Sequence, residues 1–228
     1  MENEAVKIYN RATRVVASTL GALVGLAGID HGIFEILQGH IAPSSLLIAA
    51  IGPAQRFWSY GEETALTIIP SFLLSGILAV ILGILVIVWA IGFIDRKHGA
   101  GILMLLSIAL FLVGGGFAPI FMAVIASLTA TRINKPLKFW RKVLPGGVRA
   151  FLGKIWLVVL VAFLLIFVFS VVTAIFGWPL TVFFDDETAF EHLNSISLVI
   201  VGMMLLSSLT GVAHDIQEQI EKESSSYE

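Results

Sequence analysis

Four stretches of this chain run without a charged side chain for longer than the roughly 20 apolar residues that a helix needs to cross a bilayer's hydrocarbon layer. They are Ala65 to Ile94, Gly99 to Thr131, Ile155 to Trp178 and Leu193 to Ala213. A soluble core has no use for so many uninterrupted runs. The expected fold class is therefore an all-α integral membrane protein. With 228 residues, 57% of them hydrophobic and 13% charged, the chain has length for six or seven spans and no separate catalytic domain.

A fifth run, Val15 to Leu37, follows a polar segment carrying Lys7, Arg11 and Arg14. It is longer than the roughly 7 to 15 residues of a signal-peptide core, so it reads as the first membrane helix. Gly99 to Thr131 is too long for one span, and is interrupted by Gly114, Gly115, Gly116 and then Pro119. That sequence predicts a helix end, a tight turn and a new helix beginning near the proline. The expected spans are about 15–37, 68–94, 99–114, 117–132, 154–178 and 193–213, with a basic loop at 132–154. The third and fourth form either two full spans or a re-entrant hairpin, each arm about 24 Å long at the helical rise.

The distribution of lysine and arginine decides between one span and two across 99–131. With a hairpin, Lys7, Arg11, Arg14, Arg96, Lys97, Arg132, Lys135, Lys138, Arg141, Lys142, Arg149, Lys154 and Lys222 share one side, and Arg56 alone occupies the other. With a single span the division becomes nine against five. The positive-inside rule favours thirteen to one and puts both termini in the cytoplasm of a multi-pass plasma-membrane protein. Two flanking segments border the bilayer. Ile41 to Ile51, between Pro43 and Pro53, is expected as a re-entrant or outer-interface piece. On the inner side a short helix from Pro136 to Leu144 would set Lys138, Trp140, Arg141 and Lys142 against anionic lipid headgroups, or else form a solvated basic loop.

Net charge of -2 excludes the strongly basic face of a nucleic-acid binder, and the absence of cysteine removes thiolate metal sites and thiol nucleophiles. No motif identifies a cofactor, and no paired nucleophile and base marks an intramembrane enzyme. The first helix bears Gly21, Gly25, Gly28 and Gly32 within a narrow arc, a face on which another backbone can lie very close. His31 and Glu35 stand one turn apart beside that face, and Asp30 points nearly opposite it. Ionisable groups at this depth are expensive unless partnered or solvated.

Glu62, Glu63, Asp185, Asp186, Glu187, Glu191 and His192 make the outer side acidic. Together with His31 and His40 they could hold a divalent cation or concentrate a cationic solute, although no spacing matches a standard metal motif and the metal is left unknown. The ligand or ion candidates are His31, Glu35, Asp30, Glu62, Glu63 and His192. Gly114, Gly115, Gly116 and Pro119 are candidates to line a path. The expected function is a small transporter or channel-like protein with an acidic outward-facing polar site. The alternative is a non-catalytic accessory subunit whose glycine-striped helix packs on a second copy or another membrane protein.

Overall fold

The computed structural model describes residues 8–225. In order, its elements are α1 (Arg11–Gln38), β1 (Leu47–Ala49), β2 (Thr64–Leu66), α2 (Phe72–Gly92), α3 (Gly99–Leu112), α4 (Phe117–Ala130), α5 (Lys138–Val143), α6 (Gly146–Phe176), α7 (Leu180–Phe183) and α8 (Asp186–Ser225). Four helices, α1, α2, α6 and α8, are long and apolar enough to cross a membrane. The chain is a membrane protein. Lys7, counted among the inner charges, lies outside the described residues.

Gly99 to Thr131 divides as its glycines predict, into two helices of 14 residues each. At 1.5 Å per residue each is about 21 Å long, short of a ~30 Å hydrocarbon layer. Pro119 falls in the third position of α4 rather than the first, still within the turn whose amides lack helical partners. The space above the break is filled by the segment joining α1 to α2. There the backbone must find partners without a helix, and it does so by pairing β1 antiparallel to β2, with Ile48 opposite Ala65. This small sheet adds to the helical architecture expected, and Ile41 to Ile51 becomes part of a folded cap. The pairing continues onto the break itself: the amide of Gly114 donates to the Leu66 carbonyl at 2.8 Å, and that of Ile68 to Leu112 at 3.0 Å.

α1 is the central element. Its Val16, Leu20 and Val24 share one core with Leu103 and Leu110 of α3, Ala123 and Ala126 of α4, Phe163 of α6 and Met204 of α8. All four of its striped glycines are occupied within the chain. A Cβ on Gly32 would stand 2.7 Å from the Gly76 carbonyl oxygen, and one on Gly83 2.6 Å from that of Gly25, so α1 and α2 touch backbone to backbone. At Gly28, the Leu110 side chain fills the corresponding space at 2.5 Å. The surface expected to await a partner is taken by α2 and α3.

The end of the bundle that holds the start of α1 is closed by residues that the hydropathy pattern treats as tails. α6 starts at Gly146 and α8 runs on to Ser225, so both outrun their expected spans of 154–178 and 193–213. Asn10, at the start of α1, makes no capping bond with its own side chain. Asp215 of α8 supplies the acceptor instead, receiving the Ala12 and Thr13 amides at 3.0 and 2.7 Å and the Thr13 hydroxyl at 2.6 Å. Asn10 donates to the Arg132 and Lys135 carbonyls at 2.6 and 2.9 Å, and accepts from Gln219 at 2.7 Å. α5 docks on the same extension. Its Trp140, expected at headgroup level, packs with Leu137 against Val212 and Ile216, and Arg141 pairs with Glu223 at 2.7 Å, while Lys138 and Phe139 remain exposed.

The backbone contact makes a stability prediction. Gly25→Leu forces a side chain against the main chain of Gly83 and Ile87, and should lower stability by about 1–3 kcal/mol, the usual cost of overpacking. Gly202→Ala on α8, where nothing lies within 4 Å, should instead be neutral or raise it by up to ~1 kcal/mol. Melting temperatures in detergent check both.

Candidate functional site

His31 and Glu35 project from the C-terminal part of α1 toward the α3–α4 break, and both are buried, at 2% and 0% exposure. Gly114 and Gly116 have φ of 99° and 81°, in the region that favours glycine. The reason is also spatial. A Cβ on Gly114 would strike the Glu35 carboxylate, and one on Gly116 the imidazole of His31, 2.8 Å from Nε2. Gly115 performs a different task, lying on Leu110 of the preceding helix. The break is therefore laid directly over the two side chains, and the glycines permit that approach.

The pair anticipated between His31 and Glu35 is not the one formed. The imidazole Nε2 bonds the carboxylate of Glu63, which arrives from the outer cap just before β2. Nδ1 of His31 is buried without a hydrogen-bond partner, and so are both carboxylate oxygens of Glu35. Ser75, immediately before Gly76 on α2, faces the Glu35 carboxyl. The same hydroxyl donates to the Val113 carbonyl at 2.9 Å. Thr67 lies 2.6 Å from the Ser75 hydroxyl. Ser75, Thr67 and the Val113 carbonyl are not among the residues that the sequence singles out. The signal that could have found them is Ser75 standing next to a glycine at the start of a membrane helix.

α6 joins the bundle chiefly through α8, and openings remain on both of its flanks. One, of about 250 Å³, is bounded by Asp30, Glu63, Leu23 and Phe167. The other, about 650 Å³ and mostly apolar, lies between α4, α6 and α8 with Tyr60, Glu62 and Glu63 at one end. Glu63 borders both. Asp30, read from helical angles as turned away from the site, does point away from the glycine face, but Glu63 reaches over to the same cavity.

The remaining candidates lie apart from this centre. Glu62 is exposed and pairs with Arg56. His192 is exposed with its ring 4.6 Å from that of Phe184, and His40 meets the Ser71 hydroxyl at 3.0 Å. Asp185 caps α8, accepting from the amide and hydroxyl of Thr188 at 3.0 Å, and these bonds hold its carboxyl below the usual range. Asp186 accepts from Ser59. Among the described residues no group of three histidine, cysteine or carboxylate side chains is placed to hold a metal ion. Comparison with protein families, characterised proteins and solved structures finds no match to this chain.

Burial raises the Glu63 carboxyl, but the charge and hydrogen bond of His31 lower it more, leaving it below its ordinary value of 4.5. A depressed carboxyl stabilises the fold above its unfolded pKa, and that contribution disappears as pH falls through the folded value. Glu63→Gln should thus melt below the parent at neutral pH, and the gap should close at pH values below 4.5. Thermal melts of both proteins across that range test the linkage.

Proposed function

We propose that this chain is a small transport protein of the plasma membrane, crossing it six times with both termini in the cytoplasm, and that it accepts a cationic solute or ion from the outer side. The observation that carries this reading is Glu35: a fully buried carboxyl with neither oxygen bonded, set at an interrupted helix pair. Ionisable groups in such positions are costly and belong to pathways or binding sites far more often than to packing. Interrupted helices leave polar backbone at depth, where ions and substrates bind in carriers.

The route from outside has three members. Cavities on both flanks of α6 meet Glu63, Glu63 holds His31, and Glu35 stands beside His31, one helical turn nearer the outer end of α1. In this reading the Glu63–His31 pair is the gate between an acidic vestibule and a buried acid. The accessory-subunit reading requires an unoccupied packing face on α1, and its glycine stripe is filled from within the chain.

Uptake into proteoliposomes of a panel of monovalent, divalent and organic cations tests the activity. His31→Ala and Glu35→Gln should each reduce flux about tenfold or more, equivalent to ~1.4 kcal/mol on the barrier; Glu35→Gln should melt near the parent temperature, and His31→Ala below it because Glu63 loses its partner. Parental flux in both variants would overturn the assignment. The topology has its own test, since the parent has no cysteine to remove. An impermeant thiol reagent applied to intact cells should label Asp185→Cys and spare Lys138→Cys; equal labelling of both would refute six crossings.

A further inference from the structure

We infer that the groove between α4 and α8 binds a phospholipid with an anionic headgroup, its acyl chain lying along the two helices and its phosphate held by Arg132 and the Trp140 indole. The site does not depend on the transport reading.

The groove encloses about 300 Å³, with Ile125 and Leu128 of α4 on one wall and Leu205, Leu209 and Val212 of α8 on the other. From Leu205 to Val212 the second wall advances about 10 Å at the helical rise. Its two hydroxyls are satisfied within the protein: Thr129 and Ser208 meet at 2.9 Å, and each donates to a carbonyl of its own helix, Ile125 at 2.8 Å and Met204 at 3.1 Å. Leu128 and Leu205 are 63% and 55% exposed, so the walls are open to an apolar occupant. Ile125 also borders the 650 Å³ cavity, and a chain longer than the groove continues onto another apolar surface.

The opposite end separates this groove from ordinary lipid-facing surface. Arg132 and Trp140 line it there. Among the described residues the Arg132 guanidinium has no ion pair and the indole N–H no acceptor. The frame behind both is fixed. The Arg132 amide donates to the Thr129 carbonyl at 3.0 Å and its carbonyl accepts from Asn10 at 2.6 Å, while Trp140 packs on Val212 and Ile216. Two donors, one carrying a full positive charge, therefore stand at the mouth of an apolar channel. A phosphate diester joined to an acyl chain matches that combination.

Charge selects the headgroup. No carboxylate lines the groove among the described residues, and Glu223 of α8 pairs with Arg141. The ammonium of a zwitterionic lipid would find no acid beside Arg132. Lys135 and Lys138, exposed on the segment that joins Arg132 to Trp140, add attraction for a lipid of net negative charge.

Delipidated protein in detergent, supplied with phosphatidylglycerol, phosphatidylcholine or inorganic phosphate, tests the site. Phosphatidylglycerol should raise the melting temperature saturably, phosphatidylcholine much less, and inorganic phosphate not at all. Arg132→Gln should weaken the apparent affinity for phosphatidylglycerol about tenfold or more, the scale of one charge-assisted hydrogen bond. Leu205→Trp, which fills the groove from an exposed position, should weaken it with the cation intact. Lys97→Gln removes an equal charge outside the groove and should leave binding unchanged. Native mass spectrometry of the parent, released from nanodiscs holding both lipids in equal amounts, reads the retained lipid without any variant having to fold; retained phosphatidylglycerol is expected. Equal retention of both lipids would overturn the site and mean an ordinary lipid annulus. An equal response to inorganic phosphate, or a loss in Lys97→Gln as large as in Arg132→Gln, would overturn it as well, leaving only a basic surface.

Discussion

Two helices can lie backbone to backbone only where neither carries a side chain at the crossing, and α1 meets that condition with α2 at Gly25 and Gly83 and again at Gly32 and Gly76. In lipid, where apolar side chains gain little by leaving one apolar medium for another, such close packing is what holds helices together. The second of these contacts sets the site. With Gly32 against Gly76, the preceding residue Ser75 is carried to the Glu35 carboxyl one turn up α1. Any widening of the helix pair would separate acid from hydroxyl before it disturbed the surrounding apolar core.

A second constraint is the shortness of α3 and α4. Two 14-residue helices are shorter than a hydrocarbon layer, and exposed backbone at their junction would be costly. The segment between α1 and α2 resolves this by extending its strand pairing onto the break, through Leu66, Thr67 and Ile68. The same inward fold delivers Glu63 to His31. Closing the backbone and building the polar centre are thus one structural event. α6, held mainly by α8, leaves the flanking space that gives Glu63 access to two cavities.

Much of this was legible because membrane helices announce themselves by composition. The interruption at Gly114 to Gly116 and the shared flank of His31 and Glu35 follow from glycine conformation and helical angles, both local properties. The partner of His31 was not legible: Glu63 is 32 residues away in an irregular segment with no periodicity to orient it. Helical angles alone likewise made Asp30 a residue apart, because they say nothing of what another loop brings to it. Asp215 falls just past the expected span 193–213, yet it is 1% exposed; hydropathy registers that a carboxylate is polar without revealing that the amides of α1 await it. Trp140 looked like an interfacial anchor because its neighbours are basic, and the surface it covers comes from the far end of the chain.

The Asp215 closure has a bearing on how the molecule is made. Chains emerge N-terminus first, so α1 is made before α8, with its opening amides left uncapped by the Asn10 side chain. They wait, hydrated, through the synthesis of every other helix, until the final stretch of α8 brings Asp215 and Gln219 to Thr13 and Asn10. Assembly therefore has a built-in latching step at the start of α1, and a chain that stops before residue 215 would leave that helix end unlatched.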